Sequence, residues 1–255
     1  MHSLLPMDLG IEGRVALVTA ASKGIGRAIA AELAAEGARV AVSSRSPERI
    51  EAAAESIGAI PLVHDTTDLD AVPALVERVE RELGPVDILV TNTGGPPMGA
   101  DPLAFTREQW EQAYRELVLG SMALIERVLP GMRERGFGRI VSVASTSVRE
   151  PIPWLMLSNT HRSALLAALK TIARHVAADG VTVNSVLPGR IATDRLADNH
   201  GSLEAAEQAA RETVPAARLG TPEEMAAAAA FLCSARAGYV TGTAMLVDGG
   251  LTQSI

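Results

Sequence analysis

Seven short runs rich in Val, Ile, Leu and Ala recur along the chain: "RVALVTA", "ARVAVSS", "AIPLVHD", "VDILVTN", "GRIVSVAS", "VTVNSVLP" and "TAMLVDGG". After each of the first six comes a longer stretch, commonly alanine-rich, with apolar residues at helical spacing. Near-continuous apolar strands alternating with helices are the pattern of a parallel sheet covered on both faces. The expected fold is therefore α/β, a Rossmann-type doubly wound parallel sheet of about seven strands, formed by one domain over residues 1–255. No Ser/Gly/Pro-rich spacer interrupts the alternation, which argues against two small domains. In such a sheet a ligand sits at the carboxyl ends of the strands. One segment departs from the pattern. Residues 190–219 are polar, bracketed by Pro188 and Pro222, and too long for an ordinary connection, so an irregular lid is expected there.

The first strand runs into "TAASKGIGRAIAAELAAEG". Gly24 and Gly26 stand where a strand turns into a helix, so the backbone can approach a diphosphate while the helix start offers free N–H groups. Thr19, Ser22, Lys23 and Ile25 complete this candidate turn. The first position of the glycine motif is Ala20, whose Cβ is tolerable if the residue keeps a negative φ. At the end of the second strand, "SSRSPE" has no carboxylate to accept from a ribose 2′-hydroxyl. Ser43, Ser44 and Arg45, with Lys23 opposite, suit a 2′-phosphate instead, which favours NADP(H) over NAD(H). A solvated surface charge is the competing role for Arg45. After the third strand, Asp65 can accept from an adenine amino group, or it can cap a helix, as can Asp68.

Composition narrows the classes. The chain is 47% hydrophobic over 255 residues, enough for one large core. A formal net charge of -7 supplies no basic face for nucleic acid. Only Lys23 and Lys170 are lysines among the 23 basic residues. A single cysteine, Cys233, forbids an intrachain disulfide and fits a reducing compartment, so a cytoplasmic location is expected. No uncharged apolar run reaches membrane-spanning length, so no membrane partner is expected. No metal site is expected either.

In register, the pieces "TAASKGIG", "HDTTD", "TNTGG", "VSVAST", "LPGRIATD" and "YVTGTAMLVDGG" resemble the short-chain dehydrogenase/reductase family over nearly the whole chain. The resemblance implies a nicotinamide cofactor bound across the strand ends, hydride transfer, and a homodimer or homotetramer. It implies that Asn92 and Gly94 lie near the adenosine ribose, and that Pro188, Gly189, Ile191 and Thr193 hold the nicotinamide. The family uses a Tyr and a Lys four residues later on one helix face, with an upstream Ser and an Asn on the preceding helix. The matching positions here are Ser158, Arg162, Ser145 and Leu117.

The missing pair does not depend on that alignment. Four residues after Tyr114 and Tyr239, the two tyrosines, stand Val118 and Thr243; four residues before Lys23 and Lys170 stand Thr19 and Leu166. Ser158 is shorter and far less acidic than a phenol. Arg162 keeps a cation for ribose hydroxyls and cannot relay protons. His161, three positions beyond Ser158, is a candidate proton donor, with packing as its alternative role; His200 in the lid is another. Met98, Trp154 and Met156 suggest an apolar substrate side, although Trp154 also suits an oligomer core. The leading expectation is an NADP(H)-dependent oxidoreductase with a non-standard active site, acting on a small, apolar carbonyl compound or its alcohol. The rival is a catalytically silent NADP(H)-binding member serving as sensor or assembly module. An isomerase or dehydratase holding the cofactor structurally is a third possibility.

Overall fold

A computed structural model describes residues 7–254. All seven expected strands form: β1 (Val15–Val18), β2 (Arg39–Ser44), β3 (Ile60–Val63), β4 (Ile88–Thr91), β5 (Gly138–Val143), β6 (Val181–Pro188) and β7 (Ala244–Val247). They pair in parallel in the order β3-β2-β1-β4-β5-β6-β7. The order reverses between β1 and β4, which opens a crevice above their carboxyl ends.

Alternate residues of β1 explain the two-sided core. Ala16 and Val18 face one cluster with Ile29 and Leu33 of α1 (Gly24–Ala35), Ile50 of α2 (Pro47–Ile57) and Met225 of α9 (Pro222–Cys233). Val15 and Leu17 face the other, with Val76 of α3 (Val72–Leu83), Leu124 of α5 (Gly120–Glu134) and Leu165 of α6 (Met156–Val176). Period-2 alternation with both faces apolar requires helices above and below, as the strand pattern implied.

Two features position the site. Helix α4 (Arg107–Tyr114) continues into α5 through one π-helical turn, Arg115–Leu119. Such a turn inserts an extra residue and shifts which side chains face inward. The segment 190–219 contains α7 (Asp194–His200) and α8 (Leu203–Thr213), correcting the expectation of irregular chain. Thr193 and Ser202 cap these helices by accepting from Leu196 N and Ala205 N. Ala206 and Ala210 of α8 bury against Val214 and Leu219, so this segment has a small core of its own.

Candidate active site

The turn after β1 is knitted to the loop after β4. Thr19 Oγ1 donates to the Asn92 carbonyl at 2.7 Å and accepts from Asn92 N at 3.0 Å. Asn92 Nδ2 donates to the Ala20 carbonyl at 3.1 Å. Thr19 is buried, so this pair holds the two sides of the crevice in register. Gly26 is obligatory: a Cβ there would stand 2.6 Å from the Ala20 carbonyl oxygen and 2.7 Å from Asn92 Nδ2. Ala20 has φ +46°, which corrects the expectation of a negative φ; the turn keeps the glycine conformation although the residue is alanine.

A cleft of about 490 Å³ opens from this turn, lined there by Ser22, Lys23, Gly24 and Ile25. Helix α1 starts with neither a side-chain cap nor an acidic residue in its first turn, so its N–H groups are left for an anion. At the adenosine end the cleft is lined by Ser44, Arg45, Ser46, Arg49 and His64, with no carboxylate at the end of β2. The His64 imidazole is buried and its Nε2 has no partner; burial holds its pKa below the ordinary value, Asp68 and Asp65 opposing. These donors fit a nucleotide carrying an extra phosphate on its ribose. Asp65 does not line the cleft. Its Oδ1 accepts from Thr67 N and Thr67 Oγ1, both at 2.9 Å, and Asp68 Oδ1 accepts from Ala71 N, so both hold the turn before α3; neither caps that helix, whose N-cap is Ala71.

The segment after β6 forms the opposite wall. Gly189 packs so tightly that a Cβ would stand 2.7 Å from Asp248 Cα, and Ile191 is buried in a bridge with Gly220. Neither Pro188, Gly189 nor Ile191 lines the cleft; Ala192, Thr193, Asp194 and Arg195 do. The Thr193 methyl lies 3.5 Å from where a Cβ on Gly24 would be. Lys23 Nζ donates to Asp194 Oδ2 at 2.9 Å, an exposed ion pair joining the phosphate turn to α7 and lowering the Asp194 pKa.

At the reacting end, β5 and α6 carry the sequence-predicted residues. Ser145 follows β5 and its Oγ accepts from Ser147 N at 3.1 Å, leaving its O–H free to donate. Arg162 Nε donates to Ser158 Oγ at 3.1 Å, Nη1 to the Val143 carbonyl at 2.9 Å and Nη2 to the Gly94 carbonyl at 3.1 Å. Burial of this guanidinium pushes its pKa down to about 10, with Arg195 adding to the shift and Glu116 opposing it, so it stays charged at neutral pH. Each of its three nitrogens gives one bond to the protein, which leaves two of its five N–H donors. The buried His161 is tied to its own helix: Nδ1–H donates to the Leu157 carbonyl at 2.7 Å, which fixes a proton on Nδ1. Its ring sits against Trp110 at 5.4 Å and Tyr114 at 6.0 Å between centroids. That is the packing alternative, and His161 is not among the cleft-lining residues. His200 is exposed at the end of α7. Trp154 and Met98 are exposed on two loops tied by Gly99 N donating to the Trp154 carbonyl.

Comparison with known proteins supplies the lineage. Residues 19–252 match a family described as enoyl-(acyl carrier protein) reductase. The chain is 36% identical over 251 residues to the 3-oxoacyl-[acyl-carrier-protein] reductase FabG of Haemophilus influenzae, covering 96% of this chain and 100% of that one. This chain belongs to the short-chain dehydrogenase/reductase family. Among solved structures of the same fold, L-sorbose reductase from Gluconobacter frateurii, complexed with NADPH and L-sorbose, is 35% identical with a TM-score of 0.90, covering 98% of this chain and 100% of that one. YwfH, an NADPH-dependent reductase involved in bacilysin biosynthesis, is 31% identical with a TM-score of 0.89, covering 95% and 99%.

For this short-chain dehydrogenase/reductase, the structure also brings to the cleft three residues the sequence reading missed: Arg49, Glu116 and Arg195. Arg49 was legible, in the first turn of α2 just beyond Arg45. Glu116 was not, because the π-helical turn sets it, rather than the buried Leu117, toward Gly94. Arg195 lay in a segment read as irregular. Among the described residues no cluster of three or more His, Cys, Asp or Glu could hold a metal, and no helix is long and apolar enough to cross a membrane.

Proposed function

We propose that the protein is an NADP(H)-dependent oxidoreductase acting on a carbonyl compound or its alcohol, through an active site without the Tyr-Lys pair. The observation that carries this reading is the adenosine end of the cleft, where Ser44, Arg45 and Arg49 offer donors and two cations, and β2 ends without a carboxylate. The NADPH-dependent reductase and the NADPH-bound sorbose reductase among its relatives support the same choice. When bound, the nicotinamide supplies or takes a hydride.

The chain's own residues bind and orient. The α1 start and Lys23 receive phosphate, and Thr193 closes against Gly24. Ser145, half-buried after β5, keeps an O–H free to donate to a substrate oxygen, whereas Ser158 is buried beside the Arg162 guanidinium, and neither serine is among the residues lining the cleft. Neither hydroxyl is acidic enough to give up its proton near neutral pH, so the site suits bonds whose reduction develops little charge on oxygen, or charge that water can quench. Residues 190–219 act as the lid, and the exposed Met98 and Trp154 on two linked loops favour an apolar substrate or a second subunit of a homodimer or homotetramer.

A second reading has its own observation. Arg162 commits three of its five N–H donors to Val143, Gly94 and Ser158, which suits a chain that binds NADP(H) as a sensor or assembly module without turnover. One cuvette separates the two: NADPH fluorescence on adding protein, then loss of NADPH absorbance across a panel of ketones, 3-oxoacyl thioesters and conjugated enones. Binding with turnover supports the oxidoreductase, binding without turnover supports the silent module, and absence of binding defeats both.

A further inference from the structure

Four cations line the cleft, and Arg195 is the one whose position nothing yet described explains. Lys23 is paired with Asp194, and Arg45 and Arg49 face the adenosine end. Arg195 extends from α7 onto the loop after β4, where a Cβ on Gly95 would collide with its guanidinium. The guanidinium therefore fills the space a Cβ on residue 95 would need, a seat that only glycine provides. Among the described residues it makes no hydrogen bond; the cleft walls dehydrate it enough to lower its pKa, and Glu116 is the nearby carboxylate that opposes the shift without forming an ion pair with it. A guanidinium carries five N–H donors in a fork matched to an oxyanion, and those of Arg195, exposed to the cleft, have no protein partner.

Its location limits what the anion can belong to. Thr193 against Gly24, and Lys23 against Asp194, dock the start of α7 on the phosphate turn after β1. Two residues on, Arg195 reaches Gly95 after β4, so it spans the point where the strand order reverses. On its far side lies Arg162, close enough to repel it yet committed to three protein acceptors. The charge the Arg162 position could give to a ligand is thus available from Arg195 instead. We propose that Arg195 is the residue through which the reacting half of the cleft binds an oxyanion of its ligand, the cofactor diphosphate or a carboxylate on the substrate. The inference rests on the NADP(H) reading and adds to it a binding residue outside the positions the family motifs mark.

Calorimetric titration of the full chain and of Arg195→Gln, Arg195→Lys and Gly95→Ala tests it with three probes. NADPH carries the diphosphate; 2′,5′-ADP keeps the adenosine end and lacks the bridge to the nicotinamide half; acetoacetate, added to NADPH-loaded protein, is a small carboxylate. The expected result is that Arg195→Gln weakens NADPH by about tenfold or more while 2′,5′-ADP stays within about twofold. Arg195→Lys should recover part of the loss, and Gly95→Ala, which fills the seat, should reproduce it. Unchanged NADPH affinity with loss of acetoacetate binding assigns the oxyanion to the substrate. Equal loss of NADPH and 2′,5′-ADP shows a merely structural residue and overturns the proposal, as does retention of all binding seen in the parent chain. A parent chain that binds no NADPH brings down the cofactor reading itself, whereas binding of every probe indifferent to Arg195 brings down only the inference.

Discussion

At the adenosine end of the cleft, Arg45 and Arg49 line open space and the start of α1 is uncapped. At the reacting end, Arg162 holds two backbone carbonyls and a serine, and His161 is closed between its own helix and two aromatic rings. Both ends carry cations, but the first leaves them to a ligand and the second spends them on the fold. A cation in a cleft is a ligand group only if the protein has not already satisfied it. The residue type shows which chemistry is possible; the hydrogen-bond partners show whether it is still on offer.

The largest effect should come from breaking the spent side. Arg162→Met keeps volume and removes the donor from the Val143 carbonyl and from the buried Ser158 hydroxyl, each loss costing about 1–3 kcal/mol, while the Gly94 carbonyl keeps Thr93 Oγ1. Unfolding in urea should show a destabilisation of about 3 kcal/mol. A loss under about 0.5 kcal/mol would mean that Arg162 is a solvated cation available to ligand after all, and the contrast between the two ends would collapse. Next comes the open side: Arg45→Ala should weaken NADPH by roughly 10- to 100-fold and NADH by less than twofold, with stability nearly unchanged. Equal loss of both cofactors would show that Arg45 does not meet the 2′-phosphate.

How far these positions were legible follows the same division. All seven strands were readable because β-strands buried on both faces leave an unbroken apolar run, and the phosphate turn because Gly24 and Gly26 sit at a strand-to-helix junction. Helix α8 was missed although Ser202 followed by Leu203 and Glu204 is a capping signal, since its apolar stripe is alanine and weak in hydropathy. Glu116 was beyond reach because a π-helical turn breaks the 3.6-residue count that any register argument uses. His161 was placed on the correct helix, three residues from Ser158, yet that spacing could not tell the cleft from the Trp110 side. Arg195 needed three dimensions: only the contact with Gly95 shows that a lid residue reaches the floor.

The smallest effect probes the turn that the two ends share. Ala20 sits at φ +46°, where a side chain costs about 1–2 kcal/mol relative to the ordinary backbone regions. Ala20→Gly relieves that strain but gives the unfolded chain more freedom, an opposing cost of about 0.4–1 kcal/mol. The balance should be a stabilisation of about 0.5–1 kcal/mol, read as a higher urea midpoint at unchanged slope. Gly26 holds the geometry in either case, because its missing Cβ is what lets the Ala20 carbonyl and Asn92 Nδ2 approach. A lower midpoint would mean that the Ala20 methyl contributes more by packing than its backbone loses by strain, and that the phosphate turn, like the Arg162 end, has part of its binding surface committed to holding the fold.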